Sequence, residues 1–172
     1  MKNWQTWALS ILVFSIVVHI ALIYSIPTLL MNKVLENTKE ADGANNFVHR
    51  PIATAKNKSI IRPNPDIAYS SCTIDVSQGP IKITIPASQP YSSLSILAAD
   101  TSNLLTINDQ QATDGKIVLV VAKAGQKTPS DAKKLILSSD TALALARYAI
   151  KDKGSWEDLD TLRKSAKCMR LL

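Results

Sequence analysis

Ile81-Lys82-Ile83-Thr84-Ile85-Pro86 alternates apolar and polar side chains with a period of two. That spacing places the isoleucines on one face of a strand, and Pro86 ends it because proline has no N–H to give to a ladder. The strand is entered through the turn signal Gln78-Gly79-Pro80, and residues 69–76 before it form another β-rich run. A hairpin is the simplest reading of the two. Upstream, Arg62-Pro63-Asn64-Pro65-Asp66 excludes helix, since each proline confines its predecessor to extended backbone.

Toward the C-terminus, residues 91–98 read as a third strand with Leu94 and Ile96 on one face among serines, and 104–107 as a short fourth before the turns at Asn108-Asp109 and Asp114-Gly115. Residues 117–122 are continuously apolar, which suits a strand covered on both sides, and 135–137 after Pro129-Ser130-Asp131 add another. The period then changes. Asp140 can cap a helix over 141–150, and Ser155 with Asp158 resembles a capping box opening a helix to about Met169. Leu159, Leu162, Ala166 and Met169 share its core face, while Arg163, Lys164, Lys167 and Arg170 complement its C-terminal dipole and read as a solvated face. The expected class is mainly β with C-terminal helices, an α+β fold.

Toward the N-terminus, positions 8–30 contain no Lys, Arg, Asp or Glu. A helix of that length crosses a hydrocarbon core of ~30 Å at ~1.5 Å per residue. The run exceeds the ~7–15 residues of a signal-peptide core, and no small-residue cleavage site follows it, so a retained anchor is expected over 7–31. Trp4 and Trp7 fit the interface; Pro27 is expected to kink or finish the helix. His19 lies inside the span and reads as structural, with only Ser15 as a polar neighbour. A juxtamembrane helix and linker follow over 32–58, stopped at Asp42-Gly43 and irregular from Ala44, and the β-rich domain fills 59–172.

Lysine and arginine hardly differ across the span, so orientation rests on the short tail and long C-terminal domain, which place that domain outside the cytoplasm. The chain carries a formal charge of +6. Beyond Lys33 the excess is 18 basic over 14 acidic residues, which reads as a solvated surface. No nucleic-acid motif or aromatic-basic interleaving is present. Cys72 and Cys168 would be permitted one bridge in an oxidising compartment; two isolated buried thiols are the alternative. Their wide spacing excludes a zinc ribbon or a thioredoxin-like pair.

Arg62-Pro63-Asn64-Pro65-Asp66, Tyr69-Ser70-Ser71, Asp75 and Gly79-Pro80 resemble the opening signature of a bacterial family, domain-of-unknown-function family 1254. The likeness continues through Tyr91, Ser95, Asp100-Thr101, Asn103 and Asn108-Asp109, and more loosely through Ser139-Asp140-Thr141 and Arg147. Asp66-Ile67-Ala68-Tyr69 stands where the family has Asp-Thr-hydrophobic-Tyr, so a contact needing that threonine hydroxyl is not supplied. The resemblance implies a small β-sandwich-like domain behind one transmembrane helix, in the short, membrane-anchored form. It also implies single-pass placement in the bacterial inner membrane with the domain periplasmic, and an envelope partner such as a companion of domain-of-unknown-function family 1214.

The candidate ligand-binding residues are Arg62, Asn64, Asp66, Tyr69, Asp100, Thr101, Asn103 and Arg147, with Asn108 and Asp109 beside them. They would form a polar pocket at one end of the sheet, an arginine holding an anionic group and Asp66 and Asn64 orienting it. The same groups could instead pin irregular backbone. Catalytic machinery is thin: His49 in the linker is the one histidine besides His19, which argues against Ser-His-Asp, Cys-His and three-histidine metal chemistry. No metal or cofactor is expected. The five glycines are not clustered as in a phosphate loop. The expected function is a non-catalytic binding or assembly module. The alternative is a carboxylate-dependent enzyme acting on an envelope glycan or lipid headgroup, with Asp66 and Asp100 as its best residues.

Overall fold

Ile81, Ile83 and Ile85 are fully buried while Lys82 between them is exposed, as the period of two requires. The computed structural model describes residues 3–54 and 63–171. It contains helix α1 (Asn3–Asp42), strands β1 (Phe47–His49), β2 (Ile67–Asp75), β3 (Ile81–Pro86), β4 (Ser92–Leu97), β5 (Asn103–Asn108), β6 (Lys116–Lys123), β7 (Lys134–Leu137) and β8 (Thr141–Ala149), helix α2 (Trp156–Lys164) and strand β9 (Lys167–Arg170). The strands form a five-stranded sheet ordered β1-β2-β8-β4-β5 and a four-stranded sheet ordered β7-β6-β3-β9. One apolar core contains residues of both, and the Cys72–Cys168 disulfide joins β2 of one to β9 of the other.

Strands β2 and β3 do not form the expected hairpin, because they belong to different sheets. The turn between them carries the chain across the core. Gly79 there has φ +140, a conformation open to glycine, and its N–H donates to the Val76 carbonyl at 3.1 Å. Periodicity reveals a strand but not its partner, and β2 pairs over its whole length with β8.

The segment expected as a helix over 141–150 is instead β8, the central strand of the larger sheet. Ala142, Ala144, Ala146 and Tyr148 are fully buried, whereas Leu143 and Leu145 on the other face are half-buried. Alanine and leucine are strong helix formers, and with both faces apolar the alternation does not show in the sequence. The last expected helix stops at Lys164, and 167–170 turn into β9 along β3. Met169 is therefore a half-exposed residue of an edge strand, not part of a helix stripe. Ser155 makes no side-chain cap on α2; Asp152 Oδ1 accepts from the Ser155 N–H at 2.8 Å instead. In the expected linker, 47–49 form β1 on the edge of β2.

Helix α1 runs through Pro27 without ending there. Its N-terminal part is long and apolar enough to cross a membrane, and none of that apolar window is buried inside the protein. Its C-terminal part lies against β2 and β8 on the outer face of the larger sheet, burying Met31 and Leu35. Two ion pairs fix the docking: Lys39 Nζ donates to Asp75 Oδ2 at 2.8 Å, and Arg50 Nη2 to Asp42 Oδ2 at 3.0 Å. The Lys39 hydrogen bond, helped by those from Ser77, holds the Asp75 carboxyl down at about 2. Asn45 brackets the same residue, its Oδ1 accepting from Asp75 N at 2.9 Å and its Nδ2 donating to Asp75 O at 3.0 Å.

Candidate functional site

The strand registers place Tyr69, Arg147, Ser93 and Asn108 in one row across β2, β8, β4 and β5. In a pleated sheet, directly opposed residues share a face, and this row lies on the outer face, opposite the core. Arg147 is half-buried, and its side chain makes no hydrogen bond or ion pair with any described residue. Next to it in the row, Ser93 Oγ is buried without a hydrogen-bond partner among the described residues, and so is Asn108 Oδ1 beyond. A guanidinium unpaired among the described residues thus adjoins two buried polar atoms that lack partners among them.

The other candidates divide by position. Asn64 and Asp66 lie at the same end as this row and organise the entry to β2: Asp66 N donates to Asn64 Oδ1 at 2.9 Å, and Asn64 N donates to Tyr69 Oη at 3.2 Å. Asp109 accepts from Ser92 N at 3.2 Å and from Gln89 Nε2 at 3.4 Å. Asp100, Thr101 and Asn103 sit in or beside the β4–β5 connection, at the opposite end. Leu97, paired with Asn103, is four residues along β4 from Ser93, roughly 13 Å at the rise of a strand. The expected single pocket is therefore split.

At that far end the groups serve a turn. Asp100 Oδ1 accepts from Ser102 N at 2.9 Å and from Ser102 Oγ at 2.5 Å, and those bonds lower its carboxyl pKa. Asn103 Nδ2 donates to Thr106 Oγ1 at 2.8 Å. Arg62 lies outside the described residues.

The sequence reading missed Arg163, expected on a solvated face but only 2% exposed. Its Nε and Nη2 donate to Asp160 Oδ1 at 2.8 and 2.5 Å, its Nη1 donates to the Tyr69 carbonyl at 3.0 Å and to Ser70 Oγ at 3.3 Å, and its guanidinium stands 5.1 Å from the Trp156 ring centroid. It locks α2 onto β2. A signal was present, because Leu159, Arg163 and Ala166 stand at i, i+4 and i+7, and these three are the buried ones, while Leu162 is 38% exposed.

His49 belongs to the same cluster, its Nδ1 lying 2.9 Å from Ser70 Oγ. The Ser–His pair does not make a nucleophile: Ser70 is fully buried and also takes a hydrogen bond from Arg163. Burial, then the positive charge of Arg163, lowers the His49 pKa below its usual 6.5. The unfolded chain therefore binds this proton before the folded one does. Its stabilising contribution is intact above pH 6.5 and is lost as pH falls from there through the lower folded value. The urea midpoint is expected to drop between pH 7 and pH 5, and His49→Gln to flatten that slope. Tyr148 completes the cluster, its hydroxyl buried without a hydrogen-bond partner among the described residues and its pKa raised by burial.

A groove of about 670 Å³ crosses the outer face of the smaller sheet, with Lys82, Lys116, Val118 and Val120 among the residues that line it. Pro129, Asp131 and Lys133 border it from the β6–β7 connection, and none of the expected site residues that are described reaches it.

The family model described as Protein of unknown function (DUF1254) matches residues 44–170. The chain belongs to this family. The DUF1254 match begins after α1 and takes in β1 through β9. The crystal structure of the VPA0106 protein from Vibrio parahaemolyticus is similar at a TM-score of 0.61 with 10% identity, covering 82% of this chain and 35% of that one. A putative uncharacterised protein from Burkholderia cenocepacia gives a TM-score of 0.50 with 22% identity, covering 82% and 40%. These likenesses show a shared fold, and the chain spans well under half the length of either protein. No curated protein matches it.

Proposed function

We propose that this DUF1254 chain is a non-catalytic binding or assembly module of the bacterial envelope. It is held in the inner membrane by α1, with its two sheets forming a small β-sandwich on the periplasmic side. The observation that carries the binding role is the row Tyr69, Arg147, Ser93, Asn108. Leaving a buried polar atom unsatisfied costs on the order of 1–3 kcal/mol, so a ligand that engages Ser93 and Asn108 recovers that cost while Arg147 takes its negative charge. The ligand contact is accordingly an anionic group, carried by an envelope partner. The solved structures that share the fold are more than twice as long as the part matched here, and the expected companion is a protein of domain-of-unknown-function family 1214.

Periplasmic placement is supported by the Cys72–Cys168 bridge, since disulfides form and persist in oxidising compartments. The enzymatic alternative loses support from the separation of its carboxylates: Asp66 and Asp100 stand at opposite ends of the sheet, and Asp100 is occupied by Ser102. The test is proximity crosslinking in intact membranes followed by mass spectrometry. Wild type is expected to capture an envelope partner and Arg147→Ala to lose it, with Asp66→Asn leaving folding and cellular phenotype unchanged. Equal capture by Arg147→Ala would remove the proposed site.

A further inference from the structure

Halfway along the apolar stretch 8–30 stands His19, eleven residues from either end. At ~1.5 Å per residue that is ~16 Å from each end, the middle of a bilayer core of ~30 Å. An imidazole is too short to reach the interface from there, unlike a lysine or arginine near a helix end. His19 is exposed on α1, and its imidazole makes no hydrogen bond with any described residue. A polar group in hydrocarbon without a partner is costly, which favours a second polar group meeting it in the membrane.

We infer that α1 pairs within the bilayer with α1 of a second copy of this chain, through a seam of Leu12, Ser15, His19, Leu22 and Ile26. This rests on α1 being a membrane anchor. The spacing 3-4-3-4 along these residues is that of a left-handed helix pair, and the small Ser15 lets the backbones approach beside His19. A second copy satisfies the chemistry better than an unrelated helix. Every copy inserts in the same direction, so both histidines lie at one depth across a two-fold axis along the membrane normal. Neutral imidazole carries one donor and one acceptor nitrogen, so two of them complement each other, and Ser15 one turn away offers a hydroxyl.

The globular domain does not obstruct this pairing. It buries Met31 and Leu35, with Thr38 and Asp42 partly covered on the same face. At about 100° per residue, that face lies roughly 150° around the helix from the seam. Two copies can join through their spans while their domains hang on opposite sides.

The experiment uses the full-length protein in membranes. An alkaline carbonate wash first asks whether the chain stays in the bilayer; release into the soluble fraction would overturn the anchor and this inference with it. In retained protein, two differently tagged copies are expected to co-purify. Leu22→Cys should crosslink to dimer, and Val17→Cys, on the far side of the helix, should not. Förster transfer between labelled copies diluted in lipid vesicles should show His19→Leu weakening association by about 3- to 30-fold, the range for one interhelical hydrogen bond. His19→Asn, which keeps a donor and an acceptor, should retain it. His19→Leu makes the span more apolar, so failed insertion does not confuse the result. Membrane-embedded protein that pairs equally well as His19→Leu, crosslinks equally at Val17→Cys, or engages a different membrane protein through His19 in place of a second copy would overturn the inference alone.

Discussion

Replacing Cys72 and Cys168 together by serine is expected to lower the unfolding free energy by about 4–5 kcal/mol, read by urea denaturation followed by circular dichroism. The bridge closes 96 residues of sequence separation, nearly the whole β-rich part of the chain. In the chain-entropy model a cross-link across a loop of that length removes about that much freedom from the unfolded ensemble. Two further features place the loss at the upper end. The bridge is buried, with Cys72 fully covered and Cys168 5% exposed, so serine hydroxyls would enter an apolar core. It also connects the two sheets, and β9 is an edge strand of four residues held otherwise by β3. A loss below 1 kcal/mol would show that the sheets hold together without it. Folding in a reducing buffer should produce the part of this deficit that comes from the lost cross-link, without the added cost of buried hydroxyls.

Arg163→Ala is expected to cost about 3–5 kcal/mol, the usual effect of removing one partner of a buried ion pair. Asp160 would lose both guanidinium bonds, and the Tyr69 carbonyl would lose its donor from α2. Asp160 keeps Lys164 and some contact with solvent, which favours the lower half of that range. Arg163→Met retains most of the packing against Trp156 but not the charge, so it separates the two contributions. Combining Arg163→Met with Asp160→Leu removes both charges and should recover most of the stability. If Arg163→Met were as stable as wild type, the guanidinium would have no part in locking α2 to β2.

Much of the domain's strand content was legible because β3 and the runs that became β2, β4, β5, β6 and β7 carry alternating or uniformly apolar patterns bounded by turn residues. Strand β8 was not. Its Ala-Leu alternation is apolar on both sides, because one face meets the core and the other meets α1, so neither period stands out. Sheet membership was equally hidden: the Gln78-Gly79-Pro80 turn looks the same whether it joins neighbours or crosses between layers.

The site was legible residue by residue but not as a constellation. Tyr69 and Arg147 were picked out by likeness, yet only the β2–β8 register makes them neighbours. Asp100, Thr101 and Asn103 share their residue types but stand at the other end of the strands. Arg163 shows the opposite failure, since a cation on a helix reads as solvated unless its position on the buried stripe is weighed.

The unbroken course of α1 from Asn3 to Asp42 has a mechanical consequence. Met31 and Leu35 are buried and Lys39 is tied to Asp75, so the helix leads from its membrane-length apolar part to the sheet without a break, with Pro27 the one point between them where a helix hydrogen bond is lost. Helix spans commonly tilt by about 20° to suit the thickness of the bilayer around them. If α1 spans such a bilayer, its tilt would pass to the sheets, less any bend at Pro27. The local lipid thickness would then set the angle at which the Lys82–Lys116 groove faces its surroundings, as the rake of a mast sets the angle of its sail.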